Sequence, residues 1–271
     1  MLAEQAFFSF TEVLDPTRHA DYNRWHQLDH RPENLLLDGV RYGERWVRTP
    51  ECLAASRGNG AADSRLEGTH YVNMYWFRSP VAAAVAEWQD LAERSFQWGR
   101  RPEGGWTARP LMGFFSVVKG YVAPRVLVSA DALPMRPNRG VLVTVEQLAD
   151  PHGVAAADRF AWDDQVRLPG LLGVGGVAGA WTFSSVSTTI DPTWEPTAGS
   201  VTFDAVGTDR AGVRVTVVFC DEDPIAVWAA VADYDRSAGP PPGGSEVATT
   251  VFSSPLRAIT PWEWGWFDQP S

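Results

Sequence analysis

The sequence has little of several things that mark common protein classes. Its 271 residues include two cysteines, Cys52 and Cys220, which match neither a disulfide framework nor a zinc site. The net charge is −10 and basic residues form no cluster, so neither nucleic acid nor an anionic membrane surface is an expected partner. No apolar run reaches the roughly 18 residues that a membrane-spanning helix needs. Thirteen Trp and thirteen Phe instead indicate packed cores or the walls of a small-molecule site.

Targeting and nucleotide-binding signals are also missing. The N-terminal residues carry no basic region and no small-residue cleavage site, so we expect no signal peptide and a cytoplasmic protein. The glycines between positions 173 and 179 follow a predicted helix and precede a strand, which is the reverse of a phosphate-binding loop. No P-loop, G-x-S-x-G, EF-hand or kinase motif is present. The sequence therefore gives no reason to expect a cofactor.

What the sequence does contain is a long internal repeat. The pattern W-x6-P-x6-G-V occurs twice, and every matched residue in the second copy lies 137 positions after its counterpart. The matched residues are Trp25, Pro32, Gly39 and Val40 in the first copy and Trp162, Pro169, Gly176 and Val177 in the second. This spacing is too long for a solenoid repeat and predicts a duplicated domain, in which one copy can keep chemistry while the other keeps only its shape.

Hydrophobic periodicity predicts the same order of elements, β-α-β-β-α-β, in both copies. The predicted elements of the first copy span 5–14, 18–37, 40–47, 71–77, 80–98 and 111–122. Those of the second copy span 141–147, 155–168, 178–184, 213–220, 225–234 and 246–253, with a further strand or hairpin at 200–206. In the first helix we expect a kink or end near Arg31 because Pro32 follows. We also expect one stripe formed by Tyr22, Trp25, Leu28, Pro32, Leu35 and Leu36. The polar stretch 49–68, which contains Cys52, is predicted to be a loop, and Cys220 to be a buried strand residue.

This element order is that of the ferredoxin-like fold, an α+β class with helices on one face of each sheet. The third strand is apolar or aromatic on both sides, so the bare face of each sheet needs a cover. We therefore expect two tandem ferredoxin-like units packing sheet to sheet as an α+β barrel within one chain. The expected limits are 1–124 for the first half, 138–256 for the second, degenerate half and 257–271 for an aromatic C-terminal tail, with the boundary near 124–137.

The segment from Tyr22 to Pro32, with His30 and Pro32 forming a His-x-Pro motif, followed by Gly39-Val40 and Arg45-Trp46, resembles the dimeric α+β barrel superfamily and especially its EthD-like branch. The second copy follows this pattern with Arg167 in place of His30. The resemblance implies the fold, and it leaves open monooxygenases, cyclases, isomerases, haem enzymes and non-catalytic members. The motifs of the haem-peroxidase branch are absent.

Three histidines of the first copy are the candidate catalytic residues. His26 and His30 lie four residues apart and are neighbours on a helix, while His70 opens the third strand on the same side as Val72, Met74 and Trp76. Imidazole titrates near neutral pH, so one of them is suited to acid/base chemistry. Packing or capping, and a metal site at His26 and His30, are the alternatives; the second position of the pair lacks the Glu of a zinc-protease motif, and we predict no metal.

Six aromatic or amide residues of the first copy are the candidate substrate contacts. They are Tyr22, Trp25, Trp46, Asn73, Tyr75 and Trp76. The alternative is a structural role, in which the large aromatic side chains only fill the core and Trp25 and Trp162 anchor it. The tail with Trp262, Trp264 and Trp266 is equally a lid, a cover for an apolar face or a subunit contact.

These features predict a small enzyme that acts on an aromatic or polyketide-like molecule in an apolar cavity of the first half. The reaction types that fit are cyclisation, isomerisation, decarboxylation and cofactor-independent oxygenation, with His as acid/base. The alternative is a non-catalytic ligand-binding or structural barrel. Because fused halves can satisfy each other, we expect a monomer or a weak homodimer.

Overall fold

The computed structural model describes residues 3–56, 66–102, 105–185 and 212–268. The eight strands are β1 (Gln5–Val13), β2 (Val40–Val47), β3 (Tyr71–Phe77), β4 (Thr107–Val122), β5 (Gly140–Leu148), β6 (Val177–Ser185), β7 (Gly212–Cys220) and β8 (Ala248–Ala258). The α-helices are α1 (His19–Trp25), α2 (Arg31–Leu36), α3 (Pro50–Ser56), α4 (Val81–Gln97), α5 (Val154–Trp162), α6 (Leu168–Leu171), α7 (Pro224–Ala238) and α8 (Gly244–Val247). The possible strand at 200–206 lies outside the described residues.

The strands form one closed antiparallel barrel in the order β1-β3-β2-β8-β5-β7-β6-β4. Within it, the first half contributes β4-β1-β3-β2 and the second half contributes β8-β5-β7-β6. Numbered within each half, both orders are 4-1-3-2, which is the ferredoxin-like order. The fold predicted from the sequence, two such units joined as an α+β barrel within one chain, is confirmed. A closed barrel leaves neither sheet with an unpaired edge.

The two seams between the halves are unequal. Strands β4 and β6 pair over seven residue pairs, from Phe115 with Ser185 to Val122 with Gly179. Strands β2 and β8 pair only through Trp46 with Ala258 and Val47 with Arg257. The first seam therefore carries most of the hydrogen bonding that joins the halves, and the second closes the barrel with a short ladder.

The barrel interior is apolar and shared by both halves. Aromatic rings from opposite sheets meet there: the ring centroids of Phe8 and Phe183 are 4.9 Å apart, and those of Trp76 and Trp181 are 5.1 Å apart. Trp46 belongs to the same buried cluster, with its ring 6.2 Å from that of Phe219. The alternation along β3 that the sequence shows places Val72, Met74 and Trp76 in this interior.

Each half carries a π-helical turn in its first long helix. In the first half it spans His26–His30 and joins α1 to α2, and the backbone N–H of Arg31 bonds the carbonyl of His26, five residues back. In the second half it spans Asp163–Arg167, 137 positions later, and the N–H of Leu168 bonds the carbonyl of Asp163. The helix predicted at 18–37 is present and continues past Pro32, so regular α-helix is interrupted before Arg31, as one of the two expected forms, but the helix does not end there. The irregularity lies one turn earlier, and the proline starts the next α-helical turn, where a missing N–H costs little.

Three further expectations need correction. The stretch 49–68 contains helix α3, so Cys52 is a fully buried helix residue and not part of a polar loop. The apolar stripe of the first helix is wrong in part, because Leu28 is 44% and Leu36 80% exposed. Turns of mixed periodicity move the sheet-facing side away from the stripe that a regular helix would present. Strand β8 begins two residues after the predicted Glu246 and continues to Ala258. Among the described residues, no helix is long and apolar enough to cross a membrane.

A test of the shared interior is the substitution Phe183→Ala. Phe183 belongs to the second half and is fully buried against Phe8 and Trp76 of the first. Its loss should lower the free energy of unfolding by about 3–5 kcal/mol, in a single transition for both halves, as judged by urea denaturation followed by circular dichroism. Leu127→Ala, at a side chain that is 94% exposed, is the matched control and should change the free energy by less than about 0.5 kcal/mol. Two separate transitions would contradict a common core.

Candidate functional site

Polar side chains gather between the first-half helix and the outer face of its sheet. The helix contributes His19, Asn23, His26 and Asn34 to its buried side. The sheet contributes the alternate residues of β1, β2 and β3 that point away from the barrel interior. These are Ser9 and Thr11, Arg45, and Tyr71, Asn73 and Tyr75. A helix normally buries apolar residues against a sheet, so this polar layer is the unusual feature of the fold.

Arg45 lies at the centre of this layer and is completely buried. Its Nη2 donates a hydrogen bond to Oδ1 of Asn23, and its guanidinium lies 4.8 Å from the ring centroid of Tyr22 and 4.5 Å from that of Tyr71. Among the described residues, Nε and Nη1 of Arg45 have no hydrogen-bond partner. The neighbouring carboxylate, Glu44, accepts hydrogen bonds from Arg31 and from the backbone N–H of Arg45, both at 3.0 Å. Arg45 is thus a buried cation held by aromatic faces and one amide.

Cross-strand from Arg45 stands Asn73, flanked along β3 by the two tyrosines. Its amide nitrogen donates to the Ser9 carbonyl at 3.4 Å and to Thr11 Oγ1 at 3.3 Å, whereas its Oδ1 has no partner within the described part of the chain. An unsatisfied acceptor therefore lies on the same face of the sheet as the unsatisfied donors of Arg45. Together they present complementary groups to a polar ligand.

His26 and His30 lie on the π-helical turn above these strands. Their ring centroids are 5.1 Å apart, and the Trp25 indole stacks on His30 at 4.7 Å. The Asn34 amide nitrogen lies 3.2 Å from Nε2 of His30, while Nδ1 of His26 has no partner in the described chain.

Both histidines are held in the neutral form. Burial lowers the pKa of His30 to about 3, with further contributions from Arg101, Arg109 and Arg45. Burial, and then Arg45 and His30, lower the pKa of His26 well below its usual value. The uncharged imidazole is the form that accepts a proton. The low pKa makes each ring a weak base as long as no negative charge offsets the nearby arginines.

His70 occupies the other end of the layer together with His19. The centroids of the two rings are 4.8 Å apart. Nδ1 of His70 accepts a hydrogen bond from the Val13 N–H at 3.0 Å, and Nδ1 of His19 lies 2.9 Å from the Tyr71 hydroxyl oxygen. Burial is the main cause that lowers the pKa of each to about 4. The prediction that His70 lies on the same side of the strand as Val72, Met74 and Trp76 is wrong. His70 precedes β3 and contacts His19 on the helix side, whereas the other three face the barrel interior.

The C-terminal tail reaches this end of the site. Phe267 stacks on His19 with ring centroids 3.9 Å apart, and its ring is 5.1 Å from that of His70. Trp266 packs with it against the cluster that contains Tyr22 and Tyr71. Of the three alternatives for the tail, the contacts agree with a cover over the helix-side face of the first half.

The structure brings together most, but not all, of the residues selected from the sequence. Tyr22, Trp25, Asn73 and Tyr75 surround His26 and His30 in one layer. Trp46 and Trp76 point into the barrel interior on the opposite face of the sheet and are separate from this layer. Trp25 is only partly buried, so it is less a core anchor than a wall of the site.

The polar residues of the layer that were not selected from the sequence include His19, Asn23, Asn34 and Arg45, along with Ser9, Thr11 and Tyr71 on the strands. Asn23 and Asn34 sit at helical spacing from the two selected histidines, and Arg45 alternates with Trp46 on a strand whose other face is apolar. A helical wheel with the histidines on the buried side would have found the asparagines. Burial of Arg45 has no such signal, because an arginine on a strand is usually exposed.

Metal coordination finds no support in this arrangement. Within the described ranges, no group of three or more His, Cys, Asp or Glu residues is placed to hold a metal ion. The carboxylates nearest to His30 along the helix, Asp29 and Glu33, both bind Arg100.

Comparison with known proteins gives the fold and no more. The sequence matches no family profile and no curated protein sequence. Solved structures with a similar fold include a candidate chlorite dismutase (12% identity, TM-score 0.51, 96% of each chain covered). Another is a candidate monooxygenase from Fusobacterium nucleatum (8% identity, TM-score 0.52, 96% of this chain and 94% of that chain covered). The likeness of fold extends over nearly the whole length of both chains in each pair, and at these identities it carries no residue roles.

The depressed pKa values of the four histidines predict acid sensitivity. In the unfolded chain each imidazole titrates near pH 6.5, so protons bind the unfolded state more strongly than the folded state between about pH 6.5 and 4. The free energy of unfolding should therefore be fully expressed above about pH 6.5 and fall as the pH drops through this window.

The substitution His26→Asn removes one of these groups and should make the fall with pH shallower, measured by urea denaturation at a series of pH values. His152→Gln, at an exposed position in the second half, is the control and should leave the slope unchanged. Equal slopes in the wild type and His26→Asn would mean that folding leaves the pKa of His26 at its ordinary value.

Proposed function

We propose that the protein is an enzyme that acts on a small aromatic or polyketide-like molecule, with its site in the polar layer of the first half. The observation that carries the proposal is the convergence of unpartnered buried groups there: Nε and Nη1 of Arg45, Nδ1 of His26 and Oδ1 of Asn73. Buried polar groups are nearly always hydrogen-bonded, so a cluster of unpaired ones is better explained by a ligand than by stability.

The chemistry that fits is proton transfer next to a stabilised anion. A neutral His26 or His30 accepts the proton from the substrate, and the Arg45 guanidinium stabilises the negative charge that develops. The aromatic rings of Tyr22 and Trp25 form apolar walls and exclude water. Cyclisation, isomerisation, decarboxylation and cofactor-independent oxygenation all pass through such an anion.

The arginine and the histidines are coupled in a way that favours this use. The positive charge of Arg45 is one of the causes that lower the pKa of both His26 and His30. Burial is the largest cause of both low pKa values, and an anionic substrate at Arg45 offsets the part that is due to this arginine, which raises the pKa of each imidazole. The base therefore becomes stronger when the substrate is bound than when the site is free.

A second candidate is a non-catalytic binding protein. The observation in its favour is the burial that lowers the pKa of His30 to about 3, which is far from the operating pH of an efficient base. Turnover assays of compounds that bind distinguish the two.

We also propose that the chain arose by duplication within the EthD-like branch of the dimeric α+β barrels. The two π-helical turns, each followed two residues later by a proline at the same offset of 137, support a common origin of the halves. We place the halves at 1–124 and 138–256 and the tail at 257–271. We expect a cytoplasmic monomer or weak homodimer, since the barrel closes within one chain.

The test begins with a thermal-shift screen of aromatic acids and polyketides, followed by product analysis for each compound that binds. With a turned-over compound in hand, His26→Ala and His30→Ala are made singly, and the residue that acts as acid/base should lower kcat by about a hundredfold or more while binding persists. His70→Ala tests the third candidate in the same assay. His152→Ala, in the second half and exposed, should retain full turnover. Full activity in a folded His26/His30/His70 triple variant would favour the non-catalytic alternative.

A further inference from the structure

The second half provides an internal comparison for the site of the first. Tyr22, Asn23 and His26 correspond to Arg159, Phe160 and Asp163 at the offset of 137. The strands are matched by their pairing. Tyr71 lies opposite Thr11 and Val47, and Arg214 lies opposite Glu146 and Ser184. Tyr71 therefore corresponds to Arg214, and Thr11 to Glu146. The same space beneath the π-helical turn can therefore be compared residue by residue.

In the second half the buried arginines in this space form ion pairs with carboxylates of the same half. Arg214 pairs with Asp163 at 3.4 Å, and Arg159 pairs with Glu146 at 2.5 Å, with all four side chains nearly inaccessible. The Arg214 guanidinium lies 4.3 Å from the Phe160 ring centroid, much as Arg45 lies against Tyr22 and Tyr71. Two buried cations are thus matched by two carboxylates from the protein itself.

In the first half the buried cation comes from a different strand. Arg214 and Arg159 correspond to Tyr71 and Tyr22, whereas Arg45, which lies opposite Asn73, corresponds to Thr182, which lies opposite Thr216. Arg45 is buried under the turn, but the positions of Asp163 and Glu146 are occupied by His26 and Thr11, which carry no negative charge at neutral pH. Glu44 bonds Arg31 through its side chain and Arg45 only through the backbone N–H. A buried cation without a carboxylate is strongly destabilising unless something else supplies the charge.

We infer that the first-half site binds a small-molecule carboxylate beside Arg45 and His26, in the space under the π-helical turn where the second half holds the carboxylate of Asp163. This inference names the substrate class and rests on the proposed function only for the location of the site. Nε of Arg45 has one N–H and Nη1 has two, which suits a planar carboxylate. The aromatic walls suit an acid with an aromatic or unsaturated body.

A carboxylate is favoured over phosphate by the counter-ions of the second half. There each buried arginine pairs with a carboxylate, Arg159 with Glu146 and Arg214 with Asp163. A ligand with a flat carboxylate group supplies Arg45 with the same kind of partner. Inorganic phosphate serves as the competing source of anionic oxygen in the test.

The experiment measures the melting temperature of the full chain with sodium benzoate, benzamide or sodium phosphate at equal ionic strength. Benzoate should raise Tm by about 5 °C near saturation, whereas benzamide, the neutral analogue of the same shape, should not. His26→Asp introduces the carboxylate of the second half, so it should abolish the benzoate response and raise the Tm of the free protein. Arg45→Met, which removes the cation, should also abolish the response.

Several outcomes would overturn the inference. They are an equal response to benzoate and benzamide, a larger response to phosphate than to benzoate, or an undiminished benzoate response in His26→Asp. If Arg45→Met does not fold, His26→Asp alone decides. The inference and the proposed function fail separately: a benzoate site without turnover leaves this inference standing, and turnover of a neutral compound without any benzoate response leaves only the enzyme proposal.

Discussion

The closed barrel is the constraint on which the rest of the molecule depends. Each four-stranded sheet has one face without helices, and the two bare faces bury each other in a single aromatic interior. That interior is filled by side chains from both halves, with rings such as Phe8 and Phe183 in edge contact. The outer, helix-covered faces take no part in this contact, so the two halves are free to differ there.

They differ most under the first helix. In the second half two ion pairs fill this space. In addition, Arg167 donates hydrogen bonds to both carboxylate oxygens of Asp235 at 2.9 and 3.0 Å. The first half has neutral imidazoles at the corresponding positions 26 and 30, and Arg45 forms no ion pair with any residue that the structure describes. Such pairs often contribute little net stability, since desolvation offsets the Coulomb attraction. Their presence in one half and absence in the other is consequently better explained by what each space has to hold than by stability.

The fold was predictable from the sequence because periodicity and the repeat agree. The offset between Trp25 and Trp162 set the division of the chain, and the aromatic residues on both sides of β3 required a second sheet as a cover. The site was predictable only in part. His26, His30, Tyr22, Asn73 and Tyr75 followed from residue type and spacing, but a polar face buried under a helix contradicts the pattern that marks a helix as amphipathic. Trp46 and Trp76 were misplaced because a strand with aromatics on both faces does not reveal which face is the barrel interior.

The π-helical turn has a consequence for how the chain tolerates changes in length. A turn of this kind holds one residue more than an α-helical turn, and each residue of an α-helix is rotated by about 100° from the one before it. Removing one residue between His26 and His30 would turn the π-helical turn into a regular α-helical turn of nearly the same total rotation, so Asn34 would keep its place beside Tyr75. Removing a residue from a regular α-helical turn would instead rotate everything after it by about 100°. The π-helical turn is therefore the point in this helix where the chain can lose a residue without changing which side of α2 faces the sheet.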